Sequence, residues 1–139
     1  MNPILEKVQT ALENFETEDG AKFQISAHQG DDVDMLTIIK EDMEEFAILA
    51  TASESQLLLN VSLFDADQIK EGQTAALHQM MLELNMAMPL SSFAKTNELY
   101  SIFGALSGDS KPETICEEVE VLADNIIDAL EVCQNYLNA

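Results

Sequence analysis

The residues best suited to chemistry lie in the stretch "GALSGDSKPETICEEVEVL", Gly104 to Leu122, which holds two glycines, several hydroxyls, a cysteine and a run of glutamates. A phosphate-cradling loop needs G-x-x-x-x-G-K-[ST]. Here Gly104 and Gly108 are four apart and Lys111 follows three residues later, so that reading fails. A nucleophile elbow needs G-x-S-x-G, whereas Gly104-Ala-Leu-Ser107-Gly108 sets the serine against the second glycine. Cys116 near a helix N-terminus would gain acidity from the helix dipole, but Glu113, Glu117 and Glu120 oppose a thiolate. A helix start accounts for the stretch better. Ser110 with Glu113 has capping-box spacing, and Pro112 is tolerated in a first turn.

Other reactive residues are scattered. His28 and His78 have no cysteine or second histidine at zinc spacing. Asp31, Asp32 and Asp34 lack the glycine and distal glutamate of a calcium-binding hand and read as an acidic turn. Met80, Met81, Met86 and Met88 form a dense cluster suited to varied apolar contacts, with ordinary core filling as the plainer reading. No catalytic residues, metal site or cofactor are expected. A small enzyme using Cys116 or a histidine is the alternative to a binding protein, and a structural subunit of a larger assembly is a third reading.

The elements that would position these residues follow from periodicity. Asn2 caps a first helix, with Pro3 at its first position and Ile4, Leu5, Val8, Leu12 and Phe15 forming its apolar stripe. Gly20 is its expected break. "FQISAH", "VDMLTIIK", "FAILAT" and "QLLLNVSLF" then read as four strands joined by short turns, the first turn being "QGDD". Asp65 with Gln68 predicts the start of a second helix carrying Ile69, Ala76, Met80, Met81 and Leu84 and running to about Pro89. Two more strands, "LSSFAK" and "LYSIFGAL", flank the turn at Thr96-Asn97-Glu98. In the last helix Ile115, Val119, Leu122, Ile126, Leu130, Cys133 and Leu137 make one continuous stripe. The order helix, four strands, helix, two strands, helix predicts an α+β fold, an antiparallel sheet with helices packed on it, as a single domain over 1–139.

Charge narrows the partners. The 139 residues hold 26 acids against six bases, all lysine, for a net charge of −20. Without arginine or a basic cluster, nucleic acid and anionic membrane are poor partners. The plain reading of the charge is solubility; the sharper one is attraction to a basic protein. No apolar run approaches the roughly 18 residues needed to span a bilayer, and no secretory leader is evident, so a cytoplasmic setting is expected. Cys116 and Cys133 fall on one helix about 25 Å apart, too far to pair, which fits reduced thiols.

The strands are apolar on both faces. With Phe46, Ile48, Leu57, Leu59 and Val61 set toward the helices, Leu36, Ile38, Leu49, Leu58, Tyr100 and Ile102 are assigned to the opposite face as candidate partner-binding residues. The expected role is a non-enzymatic protein-binding module, chaperone-like or a regulatory adaptor. Such a face would hold a basic protein partner or a second copy of the chain in a homodimer.

The C-terminal third, "LSSFAKTNELYSIFGALSGDSKPETICEEVEVLADNIIDALEVCQNYL", resembles the YjfI-like family of uncharacterised bacterial proteins, most distinctively where "FGALS" runs on toward "EEVEVLADNI". The order of elements and the acidic chain also resemble the type III secretion chaperone-like fold in architecture. The first resemblance implies a bacterial cytoplasmic protein with no assigned activity. The second implies an α+β sandwich that often dimerises and binds extended segments of another protein. Neither supplies catalytic residues.

Overall fold

The computed structural model describes residues 1–29 and 34–138. Of the predicted "QGDD" turn, Gln29 ends a strand, and Gly30, Asp31 and Asp32 lie outside the described residues. Helix α1 (Pro3–Glu13) leads into β1 (Phe23–Gln29), β2 (Asp34–Lys40), β3 (Ile48–Ala52) and β4 (Gln56–Asp65). Helix α2 (Thr74–Leu84), β5 (Ser92–Thr96), β6 (Leu99–Ser107) and α3 (Pro112–Cys133) complete the chain order. The strands form one six-stranded sheet in the order β1-β2-β3-β4-β6-β5, every pairing antiparallel. This is the α+β architecture that the sequence predicts.

Helices α1 and α3 lie side by side on one sheet face, α1 over β1 to β3 and α3 over β4 and β6. Asn2 caps α1 as expected: its Oδ1 accepts from the Ile4 N–H at 2.7 Å, while its own backbone N–H donates to Asp34 Oδ2 at 2.9 Å. One side-chain cap thus fixes the helix start to the start of β2. Leu5, Val8 and Leu12 of α1 and Ile115, Val119, Leu122 and Ile126 of α3 are at most 1% exposed. Fully burying each such side chain contributes about 1.5–3 kcal/mol.

Two helix starts differ from expectation. Asp65 and Gln68 do interact, the Asp65 N–H donating to Gln68 Oε1 at 2.9 Å, but they cap only a 3-10 turn at Ala66–Gln68. The chain then turns at Gly72, whose φ of +82° suits glycine, and α2 begins at Thr74. Its buried residues are Leu77 and Met81; Ala76 is exposed. At α3 the residue before the helix is Lys111, with no side-chain cap, so Ser110 does not form the predicted capping box. Ser110 instead donates its N–H to the Ser107 carbonyl at 3.0 Å in a turn.

Gly104 has a packing purpose. A Cβ there would stand 2.9 Å from Glu118 Oε2 on α3 and 3.2 Å from the Leu90 carbonyl oxygen. A side chain there would displace the Glu118 carboxylate and press on the Leu90 carbonyl, so glycine suits the close approach at this point. Lys7 of α1 donates to the Gly108 carbonyl at 2.7 Å. The two glycines of the opening stretch therefore sit where helices meet the sheet.

Candidate protein-binding face

Strand pairing divides the sheet residues into two sets. Leu36 pairs with Ala50, Ala50 with Leu59 and Leu59 with Gly104, which places this row on the helix side. Ile38, Ile48, Leu57, Val61 and Ile102 belong to the same side, each at most 1% exposed. The other side is defined by the row Ser26, Thr37, Leu49, Asn60, Phe103 and Ser92, which crosses all six strands. Thr51, Leu58 and Ala105 make an adjacent row. Partly buried Ile25 and Ala52 pack against the core, whereas Met35, Ile39, Leu49 and Phe103 do not.

This corrects the sequence assignment. Of the six candidate residues, Leu49 and Leu58 occupy the outer face, Leu58 at 38% exposure. Leu36, Ile38, Tyr100 and Ile102 are core residues at 0, 0, 1 and 0% exposure, covered by helices and unable to touch a partner. The physical reason is period-2 alternation: a one-residue error in strand phase moves every side chain to the wrong face. Phe103, which sequence reasoning missed, stands on the outer face beside Asn60 and Ser92. Its flanking core neighbours Ile102 and Gly104 were the signal, since the glycine has to face α3.

The outer face is also electrically plain. The charged strand residues are Asp34, Lys40, Asp65 and Lys95. Asp34 holds the α1 start, Lys40 reaches Asp124 of α3 at 3.7 Å, Lys95 lies 5.7 Å over the Tyr100 ring, and Asp65 ends β4. Of these only Asp65 enters an outer row, opposite Leu99 at the end of β4. Acids crowd the turn between β2 and β3 at Glu41, Asp42, Glu44 and Glu45, while those of α3 lie on the far side of the sheet. A surface of mainly apolar, hydroxyl and amide groups desolvates cheaply at its centre, and the acids at its edge, Asp65 and those of the turn after β2, attract cations.

The reactive side chains are placed elsewhere. Cys116 and Cys133 are free and buried on α3. Burial pushes the Cys133 thiol up to about 11. Burial also raises Cys116, helped by Glu113 and Glu120, so neither supplies a nucleophilic thiolate at neutral pH. His28 Nε2 meets Thr37 Oγ1 at 3.0 Å on exposed strands, and His78 Nε2 meets the Tyr100 hydroxyl at 2.6 Å. Among the described residues no group of three His, Cys, Asp or Glu is arranged to hold a metal ion. No described helix is long and apolar enough to cross a membrane.

The model of a family described as an uncharacterized protein conserved in bacteria (DUF2170) matches residues 4–137, and the chain belongs to that family. No curated protein matches the chain. Among solved structures, the crystal structure of the ExsC-ExsE complex is similar over 100% of this chain and 98% of that one, at a TM-score of 0.55 and 12% identity. The Yersinia pestis type III secretion chaperone SycH, solved in complex with a stable fragment of YscM2, is similar over 91% of this chain and 97% of that one, with TM-score 0.50 and 16% identity. The fold is therefore type III secretion chaperone-like.

Proposed function

We propose that this chain is a non-enzymatic protein-binding module, chaperone-like or a regulatory adaptor, and that it binds through the outer face of its sheet. The observation that carries this reading is an outer face with Leu49, Leu58 and Phe103 on it and only Asp65, at one end, charged among its strand residues, in a chain of net charge −20. Similarity to the ExsC-ExsE complex and to the type III secretion chaperone SycH, solved with a fragment of YscM2, supports the class of function. The acidic rim favours a basic partner, because like-charged candidates are repelled before contact. A second copy of the chain is the other occupant such a face would take, making a homodimer. The buried, high-pKa thiols weigh against the small enzyme.

The test compares wild type with Leu58→Asp in two assays, light scattering for self-association and affinity capture from a bacterial host with mass spectrometry. The reading predicts a dominant partner, or a dimer, that wild type holds and folded Leu58→Asp loses. Retention of the same partner and the same mass by the variant contradicts it.

A further inference from the structure

A second site stands apart from the sheet face, between α2 and the edge strand β5. A cavity of about 240 Å³ is lined by His78, Met81, Leu82, Asn85, Phe93, Ala94, Lys95 and Tyr100. It is smaller than the roughly 300–1,000 Å³ of drug-sized ligand sites, so it suits a single side-chain-sized group. Met81, Leu82 and Phe93 supply apolar walls; Leu82 is 71% exposed at the mouth.

The polar groups around it share one property. In a chain with 26 acids, no aspartate or glutamate lines this cavity. Lys95 brings an ammonium, which also reaches the Asn97 carbonyl at 2.5 Å. Asn85 Oδ1 accepts from the Phe93 N–H at 2.7 Å, which fixes the amide and leaves its NH₂ as the remaining polar group. His78 and Tyr100 are bonded to each other at 2.6 Å, and in either tautomer the neutral pair keeps one donor: imidazole Nδ1–H if the phenol donates, phenol O–H if the imidazole does. Burial, and after it Glu98, raise the Tyr100 pKa, so the phenol keeps its proton at neutral pH. Glu98 is the acid that faces this group from outside the lining. Donors surround an apolar hole.

We propose that this cavity binds a carboxylate attached to one apolar group, with Lys95 holding the carboxylate and Met81, Leu82 and Phe93 enclosing the apolar part. Two sources present that chemistry, the C-terminus of a peptide ending in a bulky apolar residue and a free carboxylic acid. A ligand this small binds with a dissociation constant of about 1 mM.

Side-chain NMR of His78 and Tyr100 tests this during titration with N-acetyl-phenylalanine, its neutral amide and octanoate. The expected result is saturable shifts with N-acetyl-phenylalanine, about tenfold weaker binding of the amide, and loss of that difference in Lys95→Gln. Tighter binding of octanoate than of N-acetyl-phenylalanine upholds the site and assigns it to free acids; the reverse assigns it to peptide termini. Equal affinity for acid and amide in wild type overturns the proposal. So does the absence of shifts from every probe at about 10 mM. Lys95 is exposed, so its substitution leaves the fold intact. A failure here would leave the sheet-face reading untouched, because no residue of the Leu49–Phe103 row lines the cavity.

Discussion

Along β4 the chain steps between two surroundings one residue apart. Leu57, Leu59 and Val61 are sealed under α1 and α3, while Leu58, Asn60 and Ser62 point the other way. The helix side takes in the strand charges of Asp34 and Lys40 and ties each to a helix. The outer side carries only Asp65, at the end of β4. In a domain built for solubility alone, the uncovered face of an antiparallel sheet would be the natural place for charge. Here charge is packed into turns and helices, and the strands of the uncovered face are left neutral but for Asp65 at one end. A partner surface explains that difference.

The contrast is sharpest at neighbouring residues. Leu59→Asp buries an unpaired charge and is expected to abolish cooperative thermal unfolding, whereas Leu58→Asp is expected to change stability by no more than about 0.5 kcal/mol. Equal damage from both would erase the distinction between the faces. Next, Ile102→Ala should cost about 2–5 kcal/mol in chemical denaturation, as a large-to-small change in a closed core.

Asn125 is expected to matter at an intermediate level. It is 4% exposed, and its Nδ2 donates to the Pro89 carbonyl at 2.8 Å and to Ser91 Oγ at 2.9 Å, fastening the segment before β5 to α3. Asn125→Ala leaves those acceptors unpaired and should cost about 1–3 kcal/mol by the same denaturation assay.

The smallest effect is pH-dependent. Glu118 Oε2 is buried against Gly104 without a hydrogen-bond partner among the described residues, and burial, with Glu117 adding to it, raises the carboxyl pKa. A folded pKa above the unfolded value means the contribution is fully present below the unfolded pKa and is lost as pH rises through the folded one. Glu118→Gln should therefore raise the melting temperature at about pH 7 and change it little at about pH 4, so that the two curves converge on acidification. Curves that stay parallel would remove the titration of Glu118 from the account.

All six strands were legible in the sequence because turn residues bracket them, and the α1 cap was legible because Asn2-Pro3 has one good reading. Strand phase was harder. "QLLLNVSLF" is apolar at successive positions, and a register shift between Ser62 and Phe64 puts both Leu63 and Phe64 in the core. Local alternation could not decide which of Leu36 or Thr37 faced a helix. Cross-strand partners decide it, and they are long-range. The start of α2 was missed for a related reason: a capping pair closes one turn, and only the geometry beyond Gly72 shows that no helix continues.

Hydroxyl-radical footprinting of the captured complex tests the central claim most directly, because it reads side chains and so distinguishes faces of one strand. The account predicts that Phe103 and Met35 on the outer face become protected relative to the isolated chain, while Met86, 97% exposed beyond α2, keeps its reactivity. Protection of Met86 with Phe103 and Met35 unchanged would place the partner on the helix side and contradict it.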